Sequence, residues 1–222
     1  MDVGRYYQDS HMRPIGLFST SSHSLRKSIE LTLDLFRRGE CYAGGPIDGF
    51  LTHCFLLDSV PKLLSHHGLD DGHFYLKHAD DKGDHVLVDD DYNITGIVDW
   101  EWAHTDSKSL AFRSPLVLNV GEFYDGATHI SEDEEYFAQV LDNKGRPDLA
   151  EIVRRGRVHH LFSFICGYDL TTDWDGFLGL FQGLRRALDV DGELDWEAWR
   201  EKAMDEYKDD RVLKELMSRC RR

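Results

Sequence analysis

Paired cysteines are missing from this sequence. Cys41, Cys54, Cys166 and Cys220 are scattered and form no C-x-x-C, which suggests neither a zinc knuckle nor a disulfide framework, and they read as reduced thiols. Long apolar runs are missing as well. None approaches the ~20 residues that span a bilayer, and the opening MDVGRYYQDSHMRPIG lacks the basic stretch and apolar core of a secretory signal. No membrane partner is expected, and the expected compartment is the cytoplasm, where the formal sequon at Asn93 is only the exit of a turn. Positive charge is also scarce: 26 basic residues against 41 acidic ones leave a net charge of −15, which repels a phosphate backbone and argues against nucleic acid as a partner.

No linker, repeat or low-complexity tract divides the chain. With 222 residues, 41% of them hydrophobic and 12% aromatic, it can fill a core of its own. Residues 1–23 read as an irregular arm that ends in the helix-capping serines of STSSHS. From Ser24 to Arg38, Leu25, Ile29, Leu33 and Phe36 recur at helical spacing, with Gly39 as a stop. A second helix starts near Pro46 and closes at His66, His67 and Gly68.

Then the period changes. FYLK, HVLV and ITGIVDW are short and rich in β-branched or aromatic residues, and DDDYN supplies a turn between the last two. Helical patterns return at Ser131–Leu141, Pro147–Leu170, Phe177–Leu188 and Trp196–Met217. The expected fold class is mainly α with a small β-hairpin or sheet (α+β).

The stretch KHADDKGDHVLVDDDYNITGIVDWEWA, residues 77–103, carries the chemistry. Asp80 precedes His85 by five residues, and Asp99 follows on the next strand. That order suits phosphoryl transfer: one carboxylate takes the proton of an attacking hydroxyl, and two further ligands hold Mg²⁺ against phosphate.

On these residues the chain resembles the aminoglycoside phosphotransferase family, and fungal-type members in particular. The family's motif is H-G-D-x-x-x-x-N, followed by an ILVD strand and ITGIIDWE. The segments RRGE and LLDSVPKLL before the motif, and W-E-W-A and LAF-x-SP after it, extend the similarity. The resemblance implies a protein-kinase-like fold that uses ATP and Mg²⁺ to phosphorylate a small-molecule hydroxyl. Residues 24–222 would form its C-terminal lobe. It gives His78 and Asp80 the catalytic positions and Asp99 the principal Mg²⁺ position.

Where the motif has Asn, this sequence has His85. Imidazole is a poorer ligand than an amide oxygen for a hard cation, so His85 is either a secondary metal ligand or a phosphate contact, or Asp84 supplies the oxygen instead. The sequence has no G-x-G-x-x-G and no β-rich opening, and Lys27 and Lys62 fall on expected helices. The expectation is a C-terminal lobe alone, weak or inactive by itself. The alternatives are a non-catalytic, pseudokinase-like module with a protein partner at the exposed interlobe surface, or a fragment of a longer kinase-like enzyme. An unrelated metallohydrolase built on His78, Asp80 and Asp99 would need a further His ligand.

The remaining candidates have plainer readings. His53, His66, His67, His104, His159 and His160 lack partners at metal-ligand spacing and read as surface or capping residues. Asp81, Asp89, Asp90 and Asp91 read as a solvated face. Trp100 and Trp102 should pack the hairpin on helices, and Trp196 and Trp199 should lie in the core or an interface. Asp169, Asp173 and Asp175 around Trp174 could line an acidic cleft for a cationic or hydroxylated substrate.

Overall fold

The structure, a computed structural model, describes residues 17–41, 44–65, 71–78, 80, 82–118, 121–168, 170 and 173–220. The first helix, α1, runs Ser21–Arg38, one turn earlier than its apolar periodicity suggests. The Thr20 side chain caps it by accepting from the His23 N–H, and Gly39 ends it in the left-handed conformation at φ 74°. Helix α2, Pro46–Ser65, is buried on nearly every side from Gly49 to Leu56, and forms the centre of the main core. His66–Gly68, its expected end, lie outside the described residues.

Among the described residues, four strands follow in two antiparallel ribbons. β1 (Phe74–Lys77) pairs with β4 (His104–Ser107), placing Phe74 opposite Ser107 and Lys77 opposite His104. β2 (Val86–Val88) pairs with β3 (Ile94–Ile97), with an irregularity between Leu87 and Val88. The connecting turn is built by Asp89. Its carboxylate accepts from the backbone N–H of Asp91 and Asn93, at 3.0 and 2.8 Å, and from the Asn93 side chain. It is an organiser of the turn rather than one of several solvated acids.

These bonds, led by the one from the Asn93 side chain, hold the Asp89 carboxyl below its usual value of 3.8. With the folded pKa depressed, the contribution of Asp89 to hairpin stability is complete above about pH 4 and fades as the pH falls through the folded value. Asp89→Ala should cut hydrogen-exchange protection of the Asn93 and Val88 amides by roughly tenfold, leaving the helices unchanged. Equal protection in the two proteins would remove Asp89 from this role.

A short helix α3 (Lys108–Ala111) leads through a 3-10 turn at Leu116–Leu118 into six further helices among the described residues. They are α4 (Glu132–Asn143), α5 (Pro147–Arg155), α6 (Arg157–Gly167), α7 (Trp174–Ala187), α8 (Trp196–Glu206) and α9 (Arg211–Cys220). Two expected long helices are therefore each broken into two. Gly156 separates α5 from α6, where a Cβ would lie 2.9 Å from the Ile152 carbonyl oxygen. Asp210 starts α9 afresh by accepting from the Val212 and Leu213 N–H groups, at 2.7 and 3.1 Å.

The main core joins α1, α2, α6, α7, α8 and α9. Its centre is aromatic: Phe181 meets Phe55 at 5.3 Å and Trp199 at 4.6 Å between ring centroids. The guanidinium of the buried Arg185 lies over both Phe181 and Trp199, and donates to the carbonyls of Asp191 and Leu194. Trp199 is buried and Trp196 packs beside it, as their spacing suggests. His53, His159 and His160 are buried too, which corrects their reading as surface residues. Periodicity alone does not separate a His inside a helix bundle from one at its rim. The fold is thus mainly helical with a small strand component, and no described helix is long and apolar enough to cross a membrane.

Candidate functional site

The end of β1, the loop to β2 and the end of β3 meet at one place. His78 follows directly on β1, and its Nε2 lies 2.8 Å from the Val98 carbonyl oxygen just beyond β3. Because a carbonyl only accepts, Nε2 carries the proton of that bond. The Val98 N–H in turn donates to the His85 carbonyl at 3.0 Å, so a single residue ties the loop to the hairpin from both sides. The rings of His78 and His85 stack 4.1 Å apart and 20° from parallel, and Trp100 meets His78 edge-on at 4.9 Å. Trp100 is held by its own Nε1–H donating to the Ile97 carbonyl at 2.9 Å.

His85 is 8% exposed, and among the described residues neither its Nδ1 nor that of His78 has a hydrogen-bond partner. The stacked rings lie on the inner side of the loop, whereas Asp84 and Asp99 are exposed. Asp99, next to Val98, is exposed and adopts the left-handed conformation at φ 63°, ψ 45°. Tyr92, Asp189 and Asp191 share a positive φ, but Asp99 alone of the four directly follows the residue that His78 binds. Asp80 is half-buried and lies 3.2 Å from Lys82 Nζ. That partner raises the Lys82 ammonium above its usual pKa, chiefly through the bond to Asp80, with Asp84 adding further charge.

The loop itself rests on the helices. Gly83 has φ +100°, and a Cβ there would lie 3.1 Å from Val117 Cγ2, so both its conformation and the close approach call for glycine. Val117 belongs to the 3-10 turn Leu116–Leu118, which is fixed from below by a buried polar cluster. Glu134 accepts from Ser114 Oγ and from Arg157 Nη2, and completes a capping box with Ser131. Ser131 Oγ donates to the Leu118 carbonyl at 3.0 Å, and His160 Nε2 meets the Ser114 carbonyl at 2.9 Å. Burial, with help from Arg113 and Arg157, pushes the His160 pKa well below its usual value, so the ring is neutral and Nε2 is the donor.

The sequence candidates therefore divide. His78, Asp80, Asp84, His85 and Asp99 all belong to this loop and hairpin, with His78 and His85 in contact and Asp99 carried next to the Val98 carbonyl that His78 binds. No three His, Cys, Asp or Glu side chains among the described residues converge as a metal-holding group. Trp100 and Trp102 are 44% and 55% exposed, which corrects the expectation that they pack the hairpin on helices. Of the suggested acidic cleft, Asp173 is committed to capping α7 and to the Tyr168 hydroxyl, and Trp174 stacks on Phe177. Asp169 and Asp81 lie outside the described residues. Lys82 and the Val98 carbonyl went unread in the sequence; the first is signalled only by its place two residues after Asp80, and the second is a backbone atom with no signal at all.

Comparison with family models, curated proteins and solved structures finds no match to this chain.

Proposed function

We propose that this loop and hairpin form the phosphate-handling site of a small-molecule phosphotransferase related to the aminoglycoside phosphotransferases, a C-terminal lobe of the protein-kinase-like type. The observation that carries the reading is the bond from His78 to the Val98 carbonyl, which sets the Asp80 loop beside a left-handed, exposed Asp99. A His-x-Asp sequence by chance has no reason to be stapled to the residue before a left-handed aspartate.

The donors present fit Mg²⁺ of the kind that arrives with a nucleotide. Asp99 and Asp84 offer hard, exposed carboxylate oxygens, whereas the buried His85 ring is engaged with His78. Mg²⁺ commonly takes one or two carboxylates, with water and phosphate oxygens completing its shell, so three converging protein ligands are not required. Bound there with ATP, the ion would neutralise charge on the β- and γ-phosphates.

The chain's own groups do the rest. Asp80 orients the acceptor hydroxyl and takes its proton as the oxygen bonds to the γ-phosphorus and ADP departs. Lys82, beside Asp80, offers positive charge to the phosphoryl oxygens. His78 positions the loop through Val98 and touches no substrate.

Transfer by this chain alone is expected to be slow, because its sequence holds no G-x-G-x-x-G to cover the phosphates. The test is a coupled assay with Mg²⁺, ATP and a panel of cationic and hydroxylated small molecules. A phosphate ester formed at any rate that Asp80→Asn abolishes supports the reading. Turnover independent of Asp80 contradicts it.

The second reading is a non-catalytic module of pseudokinase type, favoured by the apolar side chains exposed on the hairpin and by His85 in the Asn position. Calorimetric titration that finds neither Mg²⁺ nor ATP bound would select it.

A further inference from the structure

The β2–β3 hairpin exposes more apolar surface than two strands can hide. Ile94 is 66% exposed, Val88 52%, Leu87 48% and Ile97 45%, and Trp102 stands open at 55% just beyond. Among the described residues β2 and β3 pair only with each other, so each keeps one edge that no other described strand pairs. A lone two-stranded ribbon is marginal in water, and an open apolar edge is a template for another strand.

Charge narrows what fits. Residues 74–103 hold eight carboxylates and only two lysines, Lys77 and Lys82, and Lys82 is already 3.2 Å from Asp80. Asp89, Asp90 and Asp91 crowd the tip of the hairpin, and Asp99 and Glu101 stand at its other end. A second copy of this chain, itself at −15, would bring like charges together, and an anionic lipid surface would be repelled.

We propose that this hairpin is the docking site for an extended protein segment in which basic and apolar residues alternate, added as a strand to the free edge. Its apolar side chains cover the exposed valine, leucine and isoleucines, and its basic ones meet the acidic ends. The inference rests on exposure, pairing and charge, and holds whether or not the neighbouring site transfers phosphate.

The probe is a nine-residue peptide alternating lysine and valine, titrated into the ¹⁵N-labelled full chain and followed by amide shifts. Three comparisons accompany it: the same peptide N-methylated at alternate backbone amides, a glutamate–valine version, and chains carrying Ile94→Lys or Asp90→Lys with Asp91→Lys. Ile94, Asp90 and Asp91 are exposed, and unchanged shifts in the helices certify each variant's fold.

Saturable shifts confined to residues 86–97, at least tenfold weaker for both control peptides and both altered chains, are expected. Raising salt from 0.05 to 0.5 M should weaken binding by about tenfold. Absence of binding, equal binding of the N-methylated peptide, or a dimer that Ile94→Lys dissociates while the peptide stays unbound would each overturn the proposal. Because no nucleotide is present, its failure leaves the phosphotransferase reading untouched, and the reverse holds too.

Discussion

Glu134→Ala is expected to lower the unfolding free energy by about 3–5 kcal/mol, the usual cost of stripping one partner from a buried ion pair. Its side chain is fully buried and that of Arg157 is 6% exposed, so water cannot replace what is lost. Burial already pulls the Arg157 pKa below its usual value, and Glu134, followed by Glu122, opposes this. Removing Glu134 leaves a buried cation, unpairs Ser114 Oγ and opens the capping box at Ser131.

The loss extends beyond stability. Ser114, Leu118 and Val117 share one segment, and Val117 supports Gly83 in the Asp80 loop. Urea unfolding of Glu134→Ala should therefore show a lower midpoint, together with increased hydrogen exchange in residues 82–85. A double replacement, Glu134→Leu with Arg157→Met, removes both charges and should recover much of the stability. A change under about 1 kcal/mol in Glu134→Ala would mean the pair contributes no more than an exposed one.

Asp80→Asn is expected to reduce phosphoryl transfer by roughly a thousandfold, within the range by which a positioned general base accelerates a reaction. The amide keeps the size of the side chain and can still accept from Lys82, but it does not take a proton from the acceptor. Nucleotide affinity should stay within about twofold of the parent, because Asp80 acts on the hydroxyl rather than on the phosphates. Lys82→Met tests the neighbouring charge and should cost less, about tenfold to a hundredfold. A thousandfold fall in nucleotide affinity with unchanged turnover at saturation would reverse these roles.

Much of the architecture is legible in the sequence. The apolar spacing of Leu25, Ile29, Leu33 and Phe36 gives α1, and Pro46 marks the first residue of α2. β4 is not legible: HTDS carries no apolar alternation and becomes a strand only because β1 offers it a pairing edge. The breaks at Gly156 and near Asp210 are also tertiary choices, since the apolar pattern runs through both.

For the candidate site, His78, Asp80 and Asp99 stand out as residue types at telling intervals. What joins them does not, because the Val98 carbonyl and the backbone conformation of Asp99 belong to the main chain. His85 is the instructive residue. By spacing it stands where a ligand is expected, yet its ring lies under that of His78 and is almost wholly buried.

The most direct test is a titration of the ¹⁵N-labelled chain with ATP, with and without Mg²⁺, repeated on Asp99→Asn. Mg²⁺-dependent shifts centred on His78, Asp84 and Asp99 are expected, with at least a tenfold loss of apparent affinity in the variant. Shifts that ignore Mg²⁺, fall elsewhere in the fold, or persist unchanged in Asp99→Asn would contradict that expectation.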